Sequence, residues 1–261
     1  MRSLRQVWMV AQGVWREAYR RKEIYVIVAG SCLFILALAN IRFFGMDTLS
    51  KFYREVALKI MSFATGLTVI VLGARQLPRE FESRTIYPLL ARPIRRGTFL
   101  MGKQLGVVGA GMFCLGLFLS LYVVGCLTLG AELYPVLLLQ HALLQIWMLC
   151  ILTSLCFLLS VLVSFDAAVT LGFLYFFTST IFSNLYLVLY ENSVGVARHL
   201  IMALTWLTPQ LTLFDLSEKN IHGDVWPPVP FPVLFQLMGY ALMFTAVHLV
   251  LSLWVFRRRP L

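Results

Sequence analysis

Glu80-Phe-Glu-Ser-Arg-Thr-Ile-Tyr-Pro-Leu-Leu-Ala-Arg-Pro-Ile-Arg-Arg-Gly-Thr-Phe-Leu-Met-Gly-Lys103 is a charged, proline-punctuated stretch between two very apolar ones. A loop that only turns at a membrane surface needs a few polar residues. This one alternates acids, bases and apolar anchors, as a docking surface for a soluble partner does. A basic run such as Arg92–Arg96 also suits anionic lipid. Lipid contact alone does not account for Glu80, Glu82, Thr85, Tyr87 and the two prolines.

Outward from this stretch the chain is apolar. It is 60% hydrophobic and 13% charged, where soluble domains run near about 45–50% and 25%. That composition makes it an all-α integral membrane protein. Six spans are expected, roughly at 24–41, 56–77, 100–130, 135–163, 167–190 and 232–256, each near or above the ~20 apolar residues a crossing helix needs. The apolar runs lack the two-residue alternation of a barrel strand, and lipid leaves no partner for backbone polar groups outside a helix. Lys and Arg set the orientation. With the amino terminus inside, sixteen of the 22 basic residues fall in inner segments. An even number of crossings returns the carboxyl terminus to the same side.

The whole chain, 1–261, reads as one membrane domain with three appended features. Residues 1–23 form an amphipathic elbow helix, with Leu4, Val7, Trp8, Ala11, Trp15 and Ala18 on a lipid face and Arg5, Gln12, Arg16 and Arg20 largely opposite. Residues 78–98 form the inner loop. Residues 191–231 form an extracytoplasmic segment, in which Pro209 breaks a helix near Trp206 and Phe214 at the outer leaflet. Pro227–Pro232 is a stiff lead into the last span. The stretch 42–55 reads as a short outer loop, Gly130–Pro135 as a tight outer turn, and Asp166 as the N-cap of the fifth span. Ala37-Leu-Ala39 resembles a signal-peptidase site. The long preceding segment with Glu17 and Glu23 argues for an uncleaved span.

The sequence carries little catalytic chemistry. Gly97-Thr-Phe-Leu-Met-Gly-Lys103 matches a phosphate-loop spacing. Gln104 stands where Ser or Thr would hold magnesium, and no strand precedes it. His141, His199, His222 and His248 show no metal-ligand spacing. His141 and His248, each within a span, are flagged as candidate pathway groups. Cys32, Cys114, Cys126, Cys150 and Cys156 read as small packing residues. Gly102, Gly106 and Ala110 repeat at four-residue spacing, which lets helix backbones approach within or between subunits. No catalytic, cofactor-binding or metal residue is assigned.

The pattern acid-x-acid-x-x-Thr-Ile-x-x-Leu-Leu-x-x-Pro-Ile-x-Arg…Gly-Lys, from Glu80 to Lys103, resembles the loop after the second span of type-2 ABC transporter permeases. Trp206-Leu-Thr-Pro-Gln-Leu-Thr-Leu-Phe214 is similar to that family's Asn-Pro…Phe element, with Thr208 where Asn is common. Ser83-Arg84 departs from the family's usual basic-Gly or Arg-Gly step. The resemblance covers nearly the whole chain, and the subgroup it most resembles is single-domain permeases such as the one serving nitrous-oxide-reductase copper-site maturation.

The resemblance implies a half-transporter in a bacterial-type inner membrane. A second permease copy completes a two-fold dimer, and separate ABC ATPase subunits bind the ATP and magnesium; no nucleic acid is involved. Residues 80–96 would include the coupling helix. Glu80, Glu82, Arg84, Arg92 and Arg95 would make charged contacts to the ATPase, with Thr85 in the same motif. Pro88 and Pro93 would fix the loop, and Ile86, Leu89 and Leu90 would anchor it. Scarce ionisable groups in the spans favour an amphipathic or lipid-like cargo, and the resemblance implies export of, or mechanical coupling to, that cargo. The alternative from a different class is a non-transporting scaffold whose basic inner loop recruits a cytoplasmic protein or anionic lipid. An intramembrane enzyme has neither a catalytic pair nor a metal set to support it.

Overall fold

The computed structural model describes residues 2–40, 46–78, 96–181 and 190–258, and the regular structure there is helical. The principal helices are α1 (Arg2–Tyr19), α2 (Lys22–Asn40), α3 (Met46–Gln76), α4 (Arg96–Thr128), α5 (Pro135–Leu162) and α6 (Phe165–Ile181). Then follow α7 (Val196–Leu207), a 3-10 turn at Leu211–Phe214, the short α8 (Ser217–Ile221), and α9 (Phe231–Arg258).

Among the described residues, four stretches are long and apolar enough to cross a membrane: Lys51–Gln76, Arg96–Thr128, Pro135–Leu162 and Phe231–Arg258. Shorter apolar stretches, Ile24–Leu38 and Phe165–Ser179, lie in α2 and α6. The protein is therefore a multi-pass membrane protein. At ~1.5 Å per residue the 33-residue α4 exceeds a ~30 Å hydrocarbon layer, so it tilts or projects.

α3 and α4 run antiparallel. Tyr53 near the start of α3 reaches the carbonyl of Leu121, and Gln76 at its end accepts from Lys103. α5 sits at the centre, packed on α3, α4, α6 and most extensively on α9. Its Leu144, Leu149, Leu152 and Phe157 meet Val69, Val107, Phe214 and Phe244 in one core. A second core joins α2, α3 and α4 through Ile35, Tyr53, Leu58, Leu115 and Phe118.

Turn chemistry fixes the α4–α5 hairpin. Gly130 takes φ +63°, which a residue without Cβ adopts freely. Ala131 N–H donates to Cys126 O and Gly130 N–H to Leu127 O, the paired bonds of a Schellman cap. Pro135 then opens α5 at a position where its missing N–H costs nothing.

Three expectations need correction. The stretch 42–55 is not mainly a loop, because α3 already begins at Met46. Its mixed charges are spaced along a helix instead, as in the Glu55–Lys59 pair at 2.8 Å. Asp166 is not the N-cap, since α6 starts at Phe165 and Ala168 N–H donates to Ser164 O. Its carboxylate lies in the first turn, where the helix dipole favours it. Finally, the apolar face of α1 is divided. Leu4 and Trp8 are exposed, whereas Ala11 and Val14 are fully buried against the bundle.

Candidate functional site

The sequence nominates Glu80, Glu82, Arg84, Thr85, Ile86, Pro88, Leu89, Leu90, Arg92, Pro93 and Arg95, and all of them lie outside the described residues. The structure describes the frame on either side of them, the end of α3 and the start of α4. Gln76 and Lys103 are both buried there, and Lys103 Nζ donates to Gln76 Oε1 at 2.9 Å. The ammonium also stands 5.4 Å from the Phe99 ring centroid. Arg75 lies over Phe165, 4.7 Å from its centroid, tying the end of α3 to the start of α6. Arg96 donates to the carbonyls of Phe256 (3.0 Å) and Arg257 (3.4 Å), closing the last turn of α9. Leu77, Phe99, Leu100 and Phe256 are buried around these contacts. Both ends of the 79–95 stretch thus emerge from a packed base that joins α3, α4, α6 and α9.

The helix α1 is seated on the same base. A Cβ added at Gly102 would stand 2.7 Å from Val10 Cβ, and one at Gly106 would stand 2.6 Å from Val14 Cβ. At Gly109 it would meet the Trp15 ring at 2.7 Å. The indole N–H of Trp15 donates to Gly106 O at 2.9 Å. The contacts advance together along both helices, so α1 runs in the same direction as α4. The small-residue repeat is therefore an interface within the chain, and it receives α1.

At the other end of the bundle, residues 208–230 are held by side chains. Gln140 on α5 pairs with Val229 in both directions, accepting from its N–H and donating to its carbonyl, each at 2.9 Å. Leu216 N–H donates to the buried His141 Nδ1 at 3.1 Å, and Gln145 reaches Phe214 O. Tyr175 donates to Pro209 O, Ser179 accepts from Leu211 N–H, and Tyr240 accepts from Gln210 N–H. Pro209 and Phe214 are buried, and Trp206 lies in α7. Buried irregular backbone needs hydrogen-bond partners from the protein, and here α5, α6 and α9 all supply them. Nearby, Tyr134 donates to Glu132 at 2.5 Å, and this bond pushes the phenol pKa up.

The two flagged histidines have structural contacts. His141 holds the 208–230 segment through Leu216 N–H, and His248 Nδ1 lies 3.2 Å from Ser154 Oγ in the α5–α9 seam. Gln140, Gln145, Tyr175, Ser179 and Tyr240 were not singled out from sequence. Their only signal was a polar group in an apolar helix. Among the described residues no cluster of three or more His, Cys, Asp or Glu could hold a metal ion. The five cysteines are free.

In comparisons with known proteins, the family model described as ABC-2 family transporter protein matches residues 23–261. The match takes in α2 to α9 and the whole 79–95 stretch. No curated protein matches the chain.

Proposed function

This chain belongs to the ABC-2 transporter family, and from that premise we propose that it is the permease of an ATP-driven exporter whose separate ATPase docks on residues 80–96. Membership makes it a membrane transport component that works with an ABC ATPase partner. The further steps are our reading. ATP and magnesium bind the partner, whose closure moves the 80–96 stretch. Glu80, Glu82, Arg84, Arg92 and Arg95 make the charged contacts, and Ile86, Leu89 and Leu90 enter the ATPase groove.

The observation that carries this reading is the packed base. A loop that transmits force needs stiff ends. Here α3 and α4 are joined by Lys103–Gln76, and Arg96 ties α4 to the end of α9. Movement of the loop then reaches four helices as a unit. In this reading α2 and α6 supply two further crossings, giving six, and the Lys and Arg bias keeps both termini cytoplasmic. A second copy completes a two-fold dimer in the inner membrane. The segment 208–230, braced by α5, α6 and α9, closes the outer side.

The test is a mild-detergent pulldown of the tagged chain with mass spectrometry. A stoichiometric ABC ATPase should co-purify, and Glu82→Lys with Arg92→Glu should abolish the coupling of hydrolysis to the permease while the spans stay folded. Wild-type coupling in that folded double variant would refute the assignment.

A further inference from the structure

Arg54, on the second turns of α3, is 4% exposed, and its guanidinium stays protonated in a protein. Nη1 donates to Glu132 O at 3.2 Å, and Cζ stands 5.7 Å from the Tyr134 ring centroid. Nε is buried without an acceptor. Glu132 and Asp224 are the acids acting on the Tyr134 phenol, and the Glu132 carboxylate accepts from Tyr134 Oη. Among the described residues no carboxylate pairs with Arg54. A buried cation left without an anion is strongly destabilising.

The start of α5 adds positive potential at the same place. Tyr134 is its N-cap residue and makes no side-chain cap, and Pro135 follows. Leu138 N–H donates to Tyr134 O, so the N–H groups of Val136 and Leu137 have no acceptor within the helix. The dipole of this 28-residue helix is positive here. Lys51, three residues before Arg54, is exposed on the same side of α3. Glu132, Pro135 and Val136 are exposed, so the place opens at the surface. The apolar stretches Lys51–Gln76 and Pro135–Leu162 both begin here, the depth at which headgroups lie in a bilayer.

We propose that Arg54 and the amino-terminal N–H groups of α5 form a binding site for one phosphate group, carried by a phospholipid headgroup or by free phosphate. The guanidinium supplies a charged donor fork, and the helix end supplies backbone donors. When occupied, the site ties the start of α3 to the start of α5. The Tyr134 ring carries the effect onward, because it lies against Gly223, where a Cβ would stand 2.4 Å from the ring. Phosphate held here therefore braces the 208–230 segment. This assignment does not depend on the transport reading.

The test uses the full chain in a phosphate-free maltoside detergent, delipidated until native mass spectrometry shows no bound lipid. Inorganic phosphate and dihexanoyl phosphatidylglycerol are titrated separately, with the thermal midpoint as readout. At least one should raise the midpoint of the wild type, and chloride at matched ionic strength should not. A rise with the lipid alone assigns the site to a headgroup, and a rise with inorganic phosphate assigns it to free phosphate. Arg54→Gln should weaken the response by roughly 10- to 150-fold in concentration, the loss of one charged hydrogen-bonding group. Glu132→Gln should keep the response, since that acid is no part of the site. No rise in the wild type, an equal rise in Arg54→Gln, or the same rise with chloride would overturn the proposal. If Arg54→Gln does not fold, the wild type and Glu132→Gln decide. A phosphate response that appears only in Glu132→Gln would show that Glu132 is the counter-ion of Arg54, and the assignment would be wrong.

Discussion

Substituting Gly106 by Ala should loosen α1 while leaving the rest of the bundle in place. The new Cβ would stand 2.6 Å from Val14 Cβ and 3.1 Å from the carbonyl of Ala11. Restoring an ordinary contact requires α1 to move outward by about 0.8 Å or more, which strains the Trp15–Gly106 hydrogen bond. Overpacking of this kind costs about 1–3 kcal/mol, and the hydrogen bond is worth about 1 kcal/mol. The helix propensity gained by α4 is the same whether α1 is docked or not and cancels from this equilibrium. The net penalty is about 2–4 kcal/mol, a roughly 30- to 700-fold shift toward undocked α1 at ~1.4 kcal/mol per tenfold. Gly116 on the same helix is the control, because a Cβ there meets nothing within 4 Å, so Gly116→Ala should stabilise. Hydrogen exchange by mass spectrometry reads the result. Amides of residues 2–19 should exchange faster in Gly106→Ala, by a factor in that range, and those of α5 should not change. Wild-type protection of α1 in Gly106→Ala, or the same response in both variants, would show that α4 does not hold α1.

Gln140→Leu should cost about 1–3 kcal/mol, because the buried N–H and carbonyl of Val229 lose their partners; faster exchange at the Val229 amide is the readout. Arg96→Ala removes the donor to the last carbonyls of α9. It should lower stability by about 1 kcal/mol and raise exchange at residues 253–258 ahead of the rest of α9. Tyr240→Phe should destabilise by about 1 kcal/mol through the orphaned Gln210 N–H, read as a lowered thermal midpoint in detergent. Full stability in the Phe variant would mean that water replaces the phenol there.

Apolar run length located the long helices because lipid imposes one requirement on every crossing segment. Where those helices begin was less legible. Residues 46–55 carry the charges of a loop, and the hint that α3 had already started was the four-residue alternation of Asp47, Lys51, Glu55 and Lys59, of which Glu55–Lys59 pair at 2.8 Å. The Gly102–Gly106 repeat signalled close approach without naming the partner, because small residues admit any helix. The amphipathic pattern of α1 separated polar from apolar positions. It could not distinguish an apolar face left exposed, such as Trp8, from one that meets protein, such as Val14. The bracing of residues 208–230 was hidden for another reason. Gln140 and Tyr240 act through backbone partners 89 and 30 residues away, and no local motif encodes such a pairing. The Glu80–Arg95 residues stood out by composition and family resemblance alone, and they lie outside the described structure.

The seat of α1 on α4 also dictates an order of assembly. Val14 is made about 90 residues before Gly106, so at ~5–20 residues per second α1 leaves the ribosome roughly 5–20 s before its groove exists. During that interval Val10 and Val14 have no protein to cover them, and the bilayer surface is the nearest apolar medium. The helix must therefore be stable in two places in turn, first on lipid and then on protein. A chain truncated before residue 102 would leave it permanently in the first.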